Sequence, residues 1–144
     1  VKACGQTPLV LNRPIEGFLI NRLQHAILHE AYYLIEQGIC GPEEVDQAAR
    51  EMFGPRMCVT GLIEQKDLSG LDTHALVQRA IVPHLNPSRE PAKLVQDMYA
   101  RGDIGVKSGK GFYDWSKRDP RKRQAEARAK LAEILALLDR QKRS

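Results

Sequence analysis

The first residue type out of place is an asparagine, Asn21, inside the apolar run Gly17-Phe18-Leu19-Ile20-Asn21-Arg22 that opens a long helix-like segment. Helix propensity does not favour Asn there, because its short amide competes for backbone groups. Two readings account for it. The amide satisfies backbone groups at the helix start, or it holds a carbonyl or hydroxyl oxygen in an adjoining cleft, offering a donor and an acceptor on one short arm. His25 and His29 stand four apart on the same segment, a spacing that can hold a metal. No third ligand is visible, however, and the HExxH order is absent, so packed or surface histidines are preferred and no metal is expected. His74 and His84 have no constellation around them. Asp67 and Asp72 flank the Ser69-Gly70 turn, where helix capping accounts for both. The glycine-rich Gly105–Tyr113 segment resembles a phosphate cradle only superficially, since GVKSGKG lacks the gap and the Ser/Thr of a Walker A loop. Cys4, Cys40 and Cys58 are odd in number and contain no CxxC pair, which fits reduced, mostly buried thiols better than a disulfide framework or a zinc site.

The elements that must position these residues are helical. From Gly17 to Gln37 apolar residues recur at three- and four-residue spacing (Phe18, Ile20, Leu23, Ala26, Ile27, Ala31, Leu34, Ile35) and the run ends at Gly38, a helix with its usual C-terminal stop. Leu19, Leu28, Tyr32 and Tyr33 widen its apolar surface, so this helix is expected to be covered on more than one side. A second helix opens at Gly41-Pro42, with Glu43 and Glu44 favourable to its dipole, and Gly54-Pro55 is expected to stop it. Short helices fit Leu62–Leu68 and Pro91–Arg101, and another starts at Leu71 and is disturbed by Pro83. The four glycines and aromatic cluster of GDIGVKSGKGFYDW read as an ordered loop or tight hairpin pinned by Phe112, Tyr113 and Trp115. A last helix carries Ala127, Leu131, Ile134, Leu135 and Leu138. Thr7–Asn12 is a short β-like run broken by Arg13-Pro14.

The fold class is therefore all-α, with five to six helices around one long central helix and a short N-terminal β-like arm. At 144 residues and 42% apolar content the chain is long enough for one core. No apolar run approaches the roughly 18 residues that span a bilayer, and no signal peptide is visible, so a cytoplasmic, non-membrane protein is expected. Val1 rather than Met at the start suggests that a larger chain was trimmed or that a start residue is missing. The formal charge of +4 belongs to the tail: Lys117–Ser144 holds ten Lys/Arg against four Asp/Glu. No aromatic residues interleave with those cations, so a solvated helix face is preferred over a nucleic-acid surface.

Taken in order, GFLINR, the glycine-closed helix, GPEEVDQAAREMFG, EQKDLSGLD and GVKSGKGFYDW resemble the C-terminal domain of the 3-hydroxyacyl-CoA dehydrogenase family, within the 6-phosphogluconate-dehydrogenase-like helical domains. The family patterns are approximately GFxxNR, PEDID, PMGPFELxDxxGLD and GxKxGxGFY. The resemblance covers roughly residues 7–115 and implies a division into a remnant strand and interdomain connection, residues 1–16, and a helical substrate-binding and dimerisation domain, residues 17–144. It implies that NAD is bound by a missing N-terminal Rossmann domain, that the 3-hydroxyacyl substrate is oxidised to the 3-oxo form, that Asn21 orients the catalytic histidine and the substrate oxygen, and that the domain forms a homodimer. No strand followed by GxGxxG is present, so the chain alone is expected to be inactive and to hold no cofactor.

Where the family has PMGP, this chain has Arg56-Met57-Cys58-Val59-Thr60-Gly61 and then Leu62. The changed segment puts an acyl-CoA substrate in question, and the planar fork of Arg56 suits a free hydroxy acid or sugar acid; a surface role for Arg56 is the preferred alternative. Lys107 and Lys110 are candidates to face an anionic substrate tail, although the architectural reading of their loop is preferred. The rival from another class is a non-catalytic helical dimerisation module.

Overall fold

The computed structural model describes residues 9–141. They form an all-α array: α1 (Phe18–Glu36), α2 (Pro42–Ala48), α3 (Gly54–Val59), α4 (Glu64–Ser69), α5 (Leu71–Ile81), α6 (Lys93–Ala100) and α7 (Pro120–Gln141). Thr7 and Pro8 of the expected β-like run lie outside the described residues. Leu9–Leu11 form no strand and are largely solvent-exposed, as an arm without a ladder partner must be.

Several helix ends are set by local chemistry. At the close of α1, Ile39 N donates to Leu34 O and Gly38 N to Ile35 O, both at 3.0 Å. This is the paired pattern of a Schellman stop, with Gly38 at a φ of 67°. Gly41 N donates to Glu44 Oε2 at 2.9 Å at the start of α2, and Pro42 occupies the first turn. Asp119 caps α7, its Oδ1 accepting from Arg121 N at 2.9 Å and Lys122 N at 3.1 Å. By contrast, no side-chain cap forms at the α4–α5 junction, so the capping expected of Asp67 and Asp72 is not how that turn is made. Gly70, at a φ of 91°, makes it with backbone alone.

The expected stop at Gly54-Pro55 is also corrected. A π-helical turn, Ala49–Phe53, joins α2 to α3 without a break, so the two are one bent helix and the array has six helical bodies. Gly54 N donates to Ala49 O, a five-residue step that widens the turn before Pro55, whose missing N–H would otherwise leave a gap in the ladder. A Cβ on residue 54 would lie 3.0 Å from that same carbonyl, which is why glycine precedes the proline.

Packing departs most from expectation. Among the described residues only Ala31, at 7% exposure, and Met98, at 9%, are buried. The C-terminal half of α1 is covered by α6 and the Gly105–Trp115 loop. Its N-terminal half is open, with Ile20 58% and Ile27 55% exposed, so the expectation of a helix enclosed on several sides holds for only half its length. Cys58 is exposed as well. The helices spread instead of closing on one another, and the single self-contained core expected from chain length is not formed. Helices draw most of their stability from packed apolar faces, at roughly 25 cal/mol for each Å² removed from water, and much of that area here stays available.

The Gly105–Trp115 loop is a tight double hairpin, with antiparallel bridges pairing Gly105 with Lys110 and Lys110 with Asp114. Ser108 Oγ accepts from Ile104 N at 2.9 Å and donates to Lys110 O at 2.8 Å. As expected, the aromatics pin it. Phe112 stacks on Tyr32 of α1 at 5.6 Å between ring centroids, Trp115 meets Tyr113 edge-on at 6.3 Å, and Tyr113 Oη donates to Asp46 Oδ2 of α2 at 2.8 Å.

Candidate functional site

Asn21, His25, His29 and Tyr32 fall on one face of α1, at the four- and three-residue steps that bring side chains into line. They line one wall of an open groove of about 1270 Å³, whose other wall is the segment Ser88–Ala92 with Val95 and Gln96 of α6. Asn21 is solvent-accessible and lies at the end of the groove where Glu16 and Gly17 also line it. That is the end from which the N-terminal arm departs.

The start of α1 is strained. Gly17 has a φ of 76°, and Phe18, a bulky residue, has a φ of 49°, a conformation that costs an L-residue roughly 1–2 kcal/mol. Phe18 is 67% exposed, so its ring repays little of that cost through contacts within this chain. No side chain caps this helix end, which leaves first-turn N–H groups open beside Asn21 and a partial positive charge at that end.

The far wall is tied to α1 by hydrogen bonds distant in sequence. His29 Nε2 pairs with Ser88 O at 2.9 Å, Glu30 Oε2 accepts from Asn86 N at 2.8 Å, and Asn86 Nδ2 donates to His29 O at 3.4 Å. Glu36 accepts from Leu94 N at the start of α6. His29 is thus a structural tie, and among the described residues no three His, Cys, Asp or Glu side chains come together as a metal site.

The sequence-expected cations lie elsewhere. Arg56 is exposed on α3. Lys110 Nζ pairs with Asp103 Oδ1 at 3.4 Å, and Asp103 also meets Arg101 Nε at 3.3 Å. Lys107 is exposed in the same hairpin. Arg56, Lys107 and Lys110 are all absent from the groove lining, whereas Arg22 and Arg89 belong to it. Sequence reading passed over Arg89, since an arginine in a loop carries no spacing signal until the loop is folded against α1.

Among the described residues, the one strongly perturbed group lies in the loop anchor. Burial, the hydrogen bond to Asp46 and the charges of Asp46 and Glu43 push the Tyr113 phenol up from 10.0 to about 12, with Arg50 opposing. The Arg118 guanidinium lies 4.9 Å from the Tyr113 ring centroid, a cation–π contact. The described residues contain no parallel sheet and no strand–glycine–helix turn of the kind that cradles a dinucleotide pyrophosphate. NAD does not fit among them.

The profile of the 3-hydroxyacyl-CoA dehydrogenase C-terminal domain matches residues 17–115. The chain is 28% identical over 139 residues to 5-formyl-3-hydroxy-2-methylpyridine 4-carboxylate 5-dehydrogenase of Mesorhizobium japonicum, covering 96% of this chain and 45% of that protein. It is 30% identical to a probable 3-hydroxybutyryl-CoA dehydrogenase of Bacillus subtilis over 79% of this chain and 39% of that one. With the 3-hydroxyadipyl-CoA dehydrogenase of Escherichia coli it shares 33% identity over 78% of this chain and 22% of that one. A crystal structure of the pyridine-carboxylate 5-dehydrogenase, described as an NAD+-dependent dismutase, superimposes with a TM-score of 0.90 at 28% identity, over 96% of this chain and 45% of that one. The chain thus spans less than half the length of these relatives. The ordered motifs, the helical array and these matches together place the chain in the 3-hydroxyacyl-CoA dehydrogenase family, an NAD-dependent oxidoreductase family, as its C-terminal domain.

Proposed function

We propose that residues 17–144 are the substrate-binding and dimerisation domain of an NAD-dependent dehydrogenase that oxidises a 3-hydroxyacyl substrate to its 3-oxo form, with residues 1–16 leading from a nucleotide-binding Rossmann domain that holds the NAD. The observation that carries this reading is the placement of Asn21, accessible, on the groove face of α1, at the end where the N-terminal arm leaves. A short amide there donates to or accepts from the substrate hydroxyl and orients it for a base supplied by the other domain. In this reading the strain at Phe18 is repaid by contact with that domain, and this chain alone has no turnover.

The exposed stripe of Ile20 and Ile27 lies across α1 from the groove and supports a homodimer built on the helical domain, since a two-fold interface must be apolar and self-complementary. The protein acts in the cytoplasm; none of its described helices is long and apolar enough to cross a membrane. The basic face of α7 is a solvated surface rather than a nucleic-acid site.

A second reading keeps the redox chemistry and makes the substrate a free hydroxy acid. It is favoured by the likeness to a dehydrogenase of a pyridine carboxylate along nearly the whole chain. Arg56, Lys107 and Lys110 lie outside the groove, so in either reading they meet only a part of the substrate that extends beyond it, such as an anionic acyl carrier. The full-length protein, assayed with NAD and paired 3-hydroxyacyl thioesters and free 3-hydroxy acids, decides between the two. Reduction of NAD with either substrate class supports the dehydrogenase, and no reduction with any member of the panel refutes it.

A further inference from the structure

The groove beside Asn21 contains a second polar feature that hydroxyl chemistry does not use. Asn86–Glu90 is held by bonds on both sides of one residue. Upstream, Asn86 is tied to Glu30 and His29 of α1, and Ser88 N donates to Asn86 Oδ1 at 3.0 Å. Ser88 O is bonded to the His29 ring, and downstream Glu90 N donates to Ser88 Oγ at 3.1 Å. Between them stands Arg89, which lines the groove and has no hydrogen bond or ion pair among the described residues. The other guanidinium of the groove, Arg22, is turned toward Glu16 O at 3.4 Å.

We infer that Arg89 is a specificity residue that reads a substrate carboxylate remote from the hydroxyl held by Asn21. The inference rests on the Asn21 reading above. Three features carry it. The backbone around Arg89 is held in place before any ligand arrives, so little is lost in ordering its wall on binding. A free guanidinium is a planar fork that matches a carboxylate with two parallel bonds. Helix rise sets the spacing: Asn21 and His29 lie about 12 Å apart along α1, and Arg89 adjoins the residue bonded to His29, so a carboxylate up to about that far from the hydroxyl comes within reach. Glu16 and Glu90 also line the groove, so its walls do not attract anions in general. Discrimination belongs to the fork.

The test uses the full-length protein and two probes that differ only at the distal end: 3-hydroxydecanedioate, which ends in a carboxylate, and 3-hydroxydecanoate, which ends in a methyl group. Calorimetric titration is expected to show Arg89→Met weakening the diacid by about tenfold, with Arg89→Lys between the two because it keeps charge and loses the fork. Binding of the monoacid is expected to stay within about twofold and also serves as the folding control. Equal effects on both probes, no effect on either, or no preference of the unmodified protein for the diacid each overturn the inference. Coenzyme A alone is the third probe: an equal loss of its affinity in Arg89→Met assigns the residue to carrier phosphates and overturns the carboxylate role. Diacid binding that depends on Arg89 in a protein that never reduces NAD sustains the inference and removes only the dehydrogenase reading.

Discussion

Tyr113 of the glycine-rich hairpin donates its phenolic hydrogen to Asp46 Oδ2 at 2.8 Å, joining a loop to a helix 67 positions earlier in the chain. With the Tyr32–Phe112 stack, this bond holds the hairpin against α1 and α2. Because the phenol is pushed up to about 12, the folded chain keeps its proton where an unfolded chain, at an ordinary value near 10, has lost it. The contribution to stability is therefore fully present below about pH 10 and falls as pH rises toward about 12. Spectroscopic titration of the phenolate should show one late-titrating tyrosine, and Tyr113→Phe should abolish it while lowering stability near neutral pH by about 1 kcal/mol. A tyrosine titration without that late component would contradict the anchor.

Gly111 faces Gly105 across the hairpin, and a Cβ at residue 111 would lie 2.8 Å from Gly105 Cα. The obstacle is backbone and cannot rotate aside. Gly111→Ala is expected to cost about 1–3 kcal/mol, the usual range for forcing atoms into a packed site. The same substitution should shift the amide resonances of Ile104–Asp114 in an NMR spectrum. An unchanged melting temperature would show that the two strands separate more easily than the bridges imply.

Asn21→Ala removes the amide at the groove end without disturbing a packed residue. In the full-length protein kcat should fall by about 100-fold, as expected for loss of one preorganised hydrogen-bonding group at a reacting oxygen. The melting temperature should stay within about 2 °C, the variation expected for a surface change. Unchanged turnover would confine Asn21 to the helix start.

Ile27, half exposed on the side of α1 away from the groove, belongs to the stripe proposed as the dimer seam. Ile27→Glu should raise the dimer dissociation constant measured by sedimentation by about 10–100-fold, since burying an isoleucine contributes roughly 1.5–3 kcal/mol. A dimer of undiminished affinity would place the seam on another element.

Helix type and most helix ends were legible in the sequence, because they depend on neighbours within a few residues. Gly38 ends α1, Pro42 opens α2, and the order of GFLINR, PEEVD and GVKSGKGFYDW marks the family before any contact is known. The local rule failed at Gly54-Pro55, where a π turn carried the helix through a sequence that ordinarily ends one. What only tertiary structure decided is which cation distant in sequence shares a groove with Asn21. Arg56, closer in sequence, points elsewhere; Arg89 reaches the groove because Glu30 and His29 hold Asn86 and Ser88 across more than 50 intervening residues. Helical periodicity propagates through hydrogen bonds to the fourth neighbour. A groove is closed by side chains meeting from distant segments, and their spacing along the chain carries no record of that meeting.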